Sequence, residues 1–245
     1  MSTDDREAFA EAALEHALAI GEDAELVRLA LEATDRADRR SFSYVWQWLG
    51  VPIIQMPADI VAFQEVVWST RPQCIIETGL ARGGSSILSA SLLQLLGEGI
   101  VVAIDIDVRS HNRRAVEDHP FGHRVRLVEG SSVDPDVVAE VRGYIGDASR
   151  VMVVLDSDHT HEHVLAELRA YAPLVTVGQF LIVADTIIEY LPPQERRPRP
   201  WGPGNNPKSA LDVFLAEDAR FEVDPHVNGK LLMTSSPGGY VRRVR

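Results

Sequence analysis

Apolar positions change rhythm once along this chain of 245 residues. Between residues 4 and 40 they recur at helical spacing, as at Phe9, Ala13, Ala17 and Ile20, in a stretch rich in Ala, Leu and Glu. That pattern predicts a helical extension, with Gly21 as the expected break between two segments. From residue 73 short, nearly continuous apolar runs alternate with amphipathic stretches. The runs are QCIIET (73–78), IVVAID (100–105), VRLVEG (125–130), VMVVLD (151–156) and QFLIVAD (179–185). Runs rich in Ile and Val, without polar alternation, fit strands buried on both faces of a parallel sheet. The intervening segments near 84–97, 110–118, 135–146 and 161–172 suit crossover helices. A doubly wound α/β sheet is the expected result. In the tail, FEVDP (221–225) and LLMTSSPGGYVRRVR (231–245) read as two more strands, suited to an antiparallel pair at the sheet edge.

Three stretches fall outside this alternation. Residues 41–58, SFSYVWQWLGVPIIQMPA, are aromatic and punctuated by Gly and Pro, and read as an ordered loop because linkers are polar. Asp59 is the expected N-cap of a helix running to about Thr70. Residues 187–206 hold many prolines, three arginines and a Trp, and their length makes them a candidate lid. The division expected is a helical extension over 1–40 and one α/β domain over 41–245.

Composition narrows the partners. The net charge of −12 repels phosphate backbones, so nucleic acid is not an expected partner. No run approaches the length of a membrane span, and the acidic N-terminus is unlike a signal peptide, so a cytoplasmic protein is expected. The single cysteine, Cys74, lies in an apolar run and reads as a buried core thiol. No zinc spacing of Cys and His is present.

In an open α/β sheet ligands bind beyond the C-terminal strand ends. Four of the five runs end in a carboxylate there: Glu77, Asp105, Asp156 and Asp185. The first turn reads Glu77-Thr-Gly79-Leu-Ala-Arg-Gly83-Gly84-Ser85-Ser86, with a helix expected from Ser85 or Ser86. Its glycines allow close backbone approach to a ligand. Neither GxGxxG nor the P-loop pattern occurs, so a dinucleotide or an ATP phosphate is not the expected guest. An acidic residue before a glycine turn suits a cofactor with a cationic amino-acid end. Asp105 is placed to accept ribose hydroxyls, with Asp107 as the competing candidate. After the fourth run, LDSDHTHEH (155–163) is dense in metal ligands and bases. A carboxylate there, with Asp185, suits Mg²⁺, and His159 suits a general base. A helix starting there would scatter His159, His161 and His163, which argues against zinc, and places His161 and His163 on a helix surface.

The stretches WLGVPIIQMPADIVAFQEVVWSTRPQCIIETGLARGGSS, AIDIDVR, VLDSDHTHEHVLAEL, YAPLVTVGQFLIVADT and PGGYVRR together resemble the cephalosporin hydroxylase / rhamnosyl O-methyltransferase family, across most of residues 46–245. The resemblance implies a class I methyltransferase sheet with a reversed final strand, S-adenosylmethionine (SAM) as cofactor, Mg²⁺, and a small hydroxylated acceptor from natural-product or sugar pathways. By resemblance, Glu77, Gly79, Gly83 and Ser85 line the methionine end of SAM and Asp105 its ribose. Asp156 and Asp185 map to metal ligands and His159 to the base. Related members often place a Glu before the second metal Asp. Here that position is Ala184, leaving Thr186, Asp158 or a water to complete the shell. The family and the helical N-terminus suggest a homo-oligomer. Tyr44, Trp46, Trp48 and the 187–206 loop are candidates for enclosing the acceptor.

A nicotinamide oxidoreductase on a similar sheet is disfavoured by the missing GxGxxG and the lack of a Tyr-x-x-x-Lys pair. A SAM-binding accessory subunit for a partner oxygenase is the other rival.

Overall fold

In a computed structural model, which describes residues 4–193 and 198–245, five parallel strands follow the five apolar runs. They are β3 (Cys74–Thr78), β4 (Ile100–Asp105), β5 (Val125–Glu129), β6 (Val151–Leu155) and β7 (Phe180–Val183). The crossover helices are α4 (Gly84–Leu96), α5 (Ser110–Glu117), α6 (Pro135–Ile145) and α7 (His161–Tyr171). Then come α8 (Pro207–Glu217), β8 (Phe221–Val223), the short α9 (Pro225–Gly229) and β9 (Tyr240–Arg243). The sheet order is β5-β4-β3-β6-β7-β9-β8. β9 runs antiparallel to β7, pairing Leu181 with Val241, and β8 antiparallel to β9. The edge pair expected from the tail is present, but Leu231–Gly239 is loop, and only residues 240–243 of that run are strand.

Successive strand residues face opposite layers. Ile75, Val101, Ala103 and Met152 pack on one side with α3 (Pro57–Thr70) and α4. Cys74, Ile76, Val102, Val153 and Leu181 pack on the other with α6, α7 and α8. Two-sided burial explains why the strands read as unbroken apolar runs. It also pushes the Cys74 thiol up to about 12, as an inert core residue.

Three local expectations are corrected. The N-terminal helices, α1 (Arg6–Glu22) and α2 (Ala24–Asp38), break at Asp23, whose carboxylate caps the Leu26 amide. Gly21 stays helical, because its role is contact: a methyl group there would lie 2.6 Å from the Gly229 Cα of α9. Residues 46–53 form a hairpin, β1 (Trp46–Trp48) and β2 (Val51–Ile53), turned at Leu49 and Gly50 with positive φ. Trp48 donates to Ser91 Oγ at 3.0 Å, and both Trp46 and Trp48 pack on the core layer around α4. Asp59 is not an N-cap: Met56 holds that position, and Asp59 lies buried in the first turn of α3.

The chain runs β3, β4, β5 outward and then returns to β6 on the other side of β3. That reversal opens a crevice between the C-terminal ends of β3 and β6, where ligands bind in such sheets.

Candidate active site

A cavity of about 590 Å³ occupies the crevice. Glu77, Ser85, Asp156, His159 and Asp185 all line it. Gly79 lines a small adjoining pocket, shared with Ser85 and Asp156. A methyl group on Gly79 would sit 1.9 Å from the Asp156 carbonyl oxygen, so glycine alone lets the first turn close over the end of β6. Gly83 (φ 88°) is the N-cap of α4, which starts at Gly84, one or two residues earlier than the expected Ser85 or Ser86.

The carboxylates divide by what answers their charge. Glu77, buried at the end of β3, accepts from Ser86 Oγ at 2.6 Å. Burial pushes it up to about 7, with Asp105 contributing. Asp105 does not face the cavity. Its Oδ2 accepts from the amides of Leu80 (2.9 Å) and Ala81 (3.2 Å), and so holds the first turn against β4. Asp107 is exposed and paired with Arg109. Asp59 accepts from Thr234 Oγ1, from the Ser235 amide at 2.8 Å and from Ser235 Oγ at 3.1 Å. Burial, reinforced by Asp185, pushes it up to about 6 against those donors.

Asp156 and Asp185 are different. One residue past β6 and two past β7, each points its carboxylate into the cavity. Asp185 Oδ2 lies 3.3 Å from His159 Nε2. Asp156, His159 and Asp185 can each present one ligand atom within 4.8 Å of the others. Enclosure, and after it the charges of Asp185 and Glu77, hold Asp156 well above the ordinary carboxylate range. Two carboxylates and an imidazole around one point fit an oxygen-preferring divalent cation, which would relieve that repulsion. A large cavity with a buried carboxylate beneath a glycine turn likewise fits SAM and its cationic end.

Thr186 does not join this group. Its hydroxyl donates to the Pro237 carbonyl at 2.8 Å. Asp158 caps Thr160 through both its amide and its hydroxyl. His161 reaches Ser209 Oγ at 2.8 Å. His163 is not a surface residue as expected. It is half-buried at 3.0 Å from Ser132 Oγ and 3.3 Å from Ser157 Oγ, beside the fully buried Glu167, which raises its pKa. The sequence carried a signal for that pair, an i,i+4 His and Glu on one helix face.

The remaining walls come from outside the sheet. Thr34 and Asp38 of α2, then Tyr44, Gln55 and Met56, line one side; Leu191, Pro192, Pro193, Pro198 and Trp201 line another. The Trp201 ring stands edge-on to His159 at 4.8 Å between centroids, and Arg199 lies over Trp201 at 5.0 Å. The expected lid thus contributes directly, apart from residues 194–197, which lie outside the described residues. Tyr44 faces the cavity as expected, whereas Trp46 and Trp48 do not line it. Sequence reasoning did not anticipate Asp59, Gln55 or the α2 residues, which carry no motif.

A mostly parallel seven-stranded sheet with a reversed strand beside β7, and an acidic cavity at its switch point, define a class I methyltransferase fold. A family model for rhamnosyl O-methyltransferase/CmcI matches residues 40–244, and the chain belongs to that family. The rhamnosyl O-methyltransferase of Mycobacterium bovis (strain BCG / Pasteur 1173P2) is 28% identical over 199 residues, 80% of this chain and 77% of that protein. That of Mycobacterium leprae (strain TN) is 26% identical over 207 residues, 82% and 86% respectively. Among solved structures, CmcI with Mg and SAM superposes with a TM-score of 0.58 at 18% identity, covering 82% of this chain and 78% of that one. An O-methyltransferase from Bacillus cereus in complex with SAH gives 0.54 at 16% identity, covering 79% and 81%. These likenesses extend to the fold.

Proposed function

We propose that the protein is a SAM-dependent, divalent-metal-assisted O-methyltransferase acting on a hydroxyl of a small molecule, a natural product or a sugar in secondary metabolism. The observation that carries this reading is the convergence of Asp156, His159 and Asp185 on one point of a cavity that also holds Glu77. A bound Mg²⁺ supplies Lewis acidity toward the acceptor hydroxyl, and SAM supplies the electrophilic methyl group. Asp156 and Asp185 bind the cation. Glu77, Gly79, Gly83 and Ser85 form the seat for the methionine end. Asp105 serves the cofactor by fixing the first turn through Leu80 and Ala81 at Oδ2, while Oδ1, which accepts from the Asp107 amide at 3.1 Å, keeps acceptor capacity for the ribose hydroxyls. His159 takes the hydroxyl proton at Nε2, and Asp185, at 3.3 Å, stabilises the imidazolium formed. Trp201 and the surrounding prolines exclude water and orient the acceptor.

The extension over 1–40 is read as an accessory element of the 41–245 domain. Its α2 adds Thr34 and Asp38 to the cavity wall, and the exposed Phe9, Leu14 and Leu29 support a role in homo-oligomer assembly. None of the described helices is long and apolar enough to cross a membrane.

Incubation with SAM, Mg²⁺ and a panel of rhamnosides, macrolides and phenols tests the reading. The expected result is S-adenosylhomocysteine (SAH) release together with a product one methyl group heavier, abolished by EDTA. Turnover that EDTA leaves unchanged contradicts the metal's part. The distances also favour a second reading, in which His159 is a third ligand. His159→Asn then weakens Mg²⁺ binding, whereas loss of a base lowers turnover and changes the pH profile with Mg²⁺ affinity intact.

A further inference from the structure

Asp185 is held in an unusual backbone conformation. Its φ of 54° and ψ of 24° lie in the left-handed region, which aspartate adopts more readily than most residues but still at a cost. Such a conformation persists only where neighbours over-determine it. Here they can be named. The Ala184 amide donates to the Leu155 carbonyl at 2.9 Å, fixing the residue before. After it, Thr186 Oγ1 donates to the Pro237 carbonyl at 2.8 Å, and the Ile187 amide to the Ser235 carbonyl at 3.1 Å. Both later acceptors belong to the 234–239 loop, so the turn carrying Asp185 is only as well placed as that loop.

The loop is held in turn by Asp59. Its carboxylate gathers Thr234 Oγ1, the Ser235 amide and Ser235 Oγ, while Thr234 Oγ1 also accepts from the Ser236 amide at 2.9 Å. Asp59 is itself fixed in the first turn of α3, and Tyr240 Oη donates to its carbonyl at 3.4 Å. A buried carboxylate beside two acidic neighbours is a costly choice for a loop anchor, which argues that three converging donors are needed at this point.

We propose that Asp59 is a positioning residue for the metal-binding turn: through Thr234 and Ser235 it fixes the loop that clamps Thr186 and Ile187, and so aims Asp185 into the cavity. Asp59 acts by accepting hydrogen bonds and not by adding charge to the metal's surroundings. The metal-affinity half of this statement rests on the proposed function; the clamp itself does not.

The test uses the full chain with SAH bound, Mn²⁺ as the metal probe, and hydrogen exchange at the Ile187 amide. Asp59→Ala is expected to weaken Mn²⁺ binding about tenfold or more, as loss of an outer-shell partner does, and to raise exchange at Ile187. SAH affinity should stay close to that of the unaltered protein, a split that general unfolding would not give. Asp59→Asn can still accept from the Ser235 amide, and should retain most of the Mn²⁺ affinity and the slow exchange. Thr234→Val, which leaves Asp59 in place, keeps the test decisive if Asp59→Ala fails to fold: it should speed exchange at Ile187 and weaken Mn²⁺ in the same direction. Unchanged exchange and Mn²⁺ affinity in Asp59→Ala or Thr234→Val overturn the proposal. So does an Asp59→Asn loss as large as that of Asp59→Ala, which would mark a charge effect. If the unaltered protein binds no Mn²⁺ yet Asp59→Ala speeds exchange at Ile187, the metal reading fails and the clamp stands.

Discussion

The strands on the two sides of the cavity both carry carboxylates at or near their C-terminal ends, which differ in what answers their charge. On the β3–β4 side, Glu77 has the Ser86 hydroxyl and Asp105 has three backbone amides, those of Leu80, Ala81 and Asp107. On the β6–β7 side, Asp156 and Asp185 face the cavity with His159 as the nearest partner. A carboxylate that finds donors within the fold is part of the structure. Asp156, enclosed and facing a like charge across the cavity, is held well above the ordinary carboxylate range, and a cation arriving there would favour its anion. The contrast separates the residues proposed to build the cofactor seat from those proposed to hold the metal.

Breaking the unanswered side should cost most. Asp156→Asn keeps the shape and removes the charge, and turnover should fall by about a thousandfold, the scale of losing several kcal/mol of Lewis-acid stabilisation. Steady-state rates at saturating SAM would show it. On the answered side the loss should appear in binding: Glu77→Gln should weaken SAM by about tenfold to a hundredfold, read by calorimetry, since a neutral amide no longer complements the ammonium group. The narrow join between the two sides can be tested sterically. Gly79→Ala places a methyl group against the Asp156 carbonyl and should destabilise the fold by about 3 kcal/mol, read by denaturant unfolding. Gly21→Ala, which meets Gly229 instead, should cost about 1–3 kcal/mol and leave SAM affinity unchanged.

The smallest effect is on pH dependence. Glu77 and Asp59 are pushed up to about 7 and about 6 in the folded protein, from 4.5 and 3.8. A raised folded pKa means that the folded state binds the proton more tightly than the unfolded chain. That contribution is complete below the ordinary value and is lost as pH rises through the folded one. The melting temperature of the ligand-free protein should therefore decline between about pH 4 and about pH 7. Saturating SAM and Mg²⁺ should flatten the decline. A ligand-free melting temperature that rises across that window would contradict the burial of these groups.

The legible part of the molecule is the part governed by periodicity. Two-sided burial forces apolar runs, so all five parallel strands and their helices can be read within a few residues of their ends. Strand ends are where ligands bind, so Glu77, Asp156, His159 and Asp185 can be named from the same pattern. The rest depends on contacts distant in sequence. Gly21 reads as a helix breaker until Gly229 is seen against it. Asp59 has the composition of a cap, and only the loop 175 positions later shows it to be an anchor. Thr186 sits beside a metal-binding candidate in sequence, yet its hydroxyl is committed to Pro237. Trp46 and Trp48 share the aromatic stretch with Tyr44, but the hairpin turns them onto α4.

The most direct test is a calorimetric titration of Mg²⁺ into the SAH-loaded protein and into its Asp185→Asn variant. The account predicts one saturable site in the unaltered protein, with Mg²⁺ binding lost or greatly weakened in the variant while both bind SAH alike. No Mg²⁺ binding in the unaltered protein, or equal binding in the two, would contradict the claim that the unanswered carboxylates of β6 and β7 hold a divalent cation.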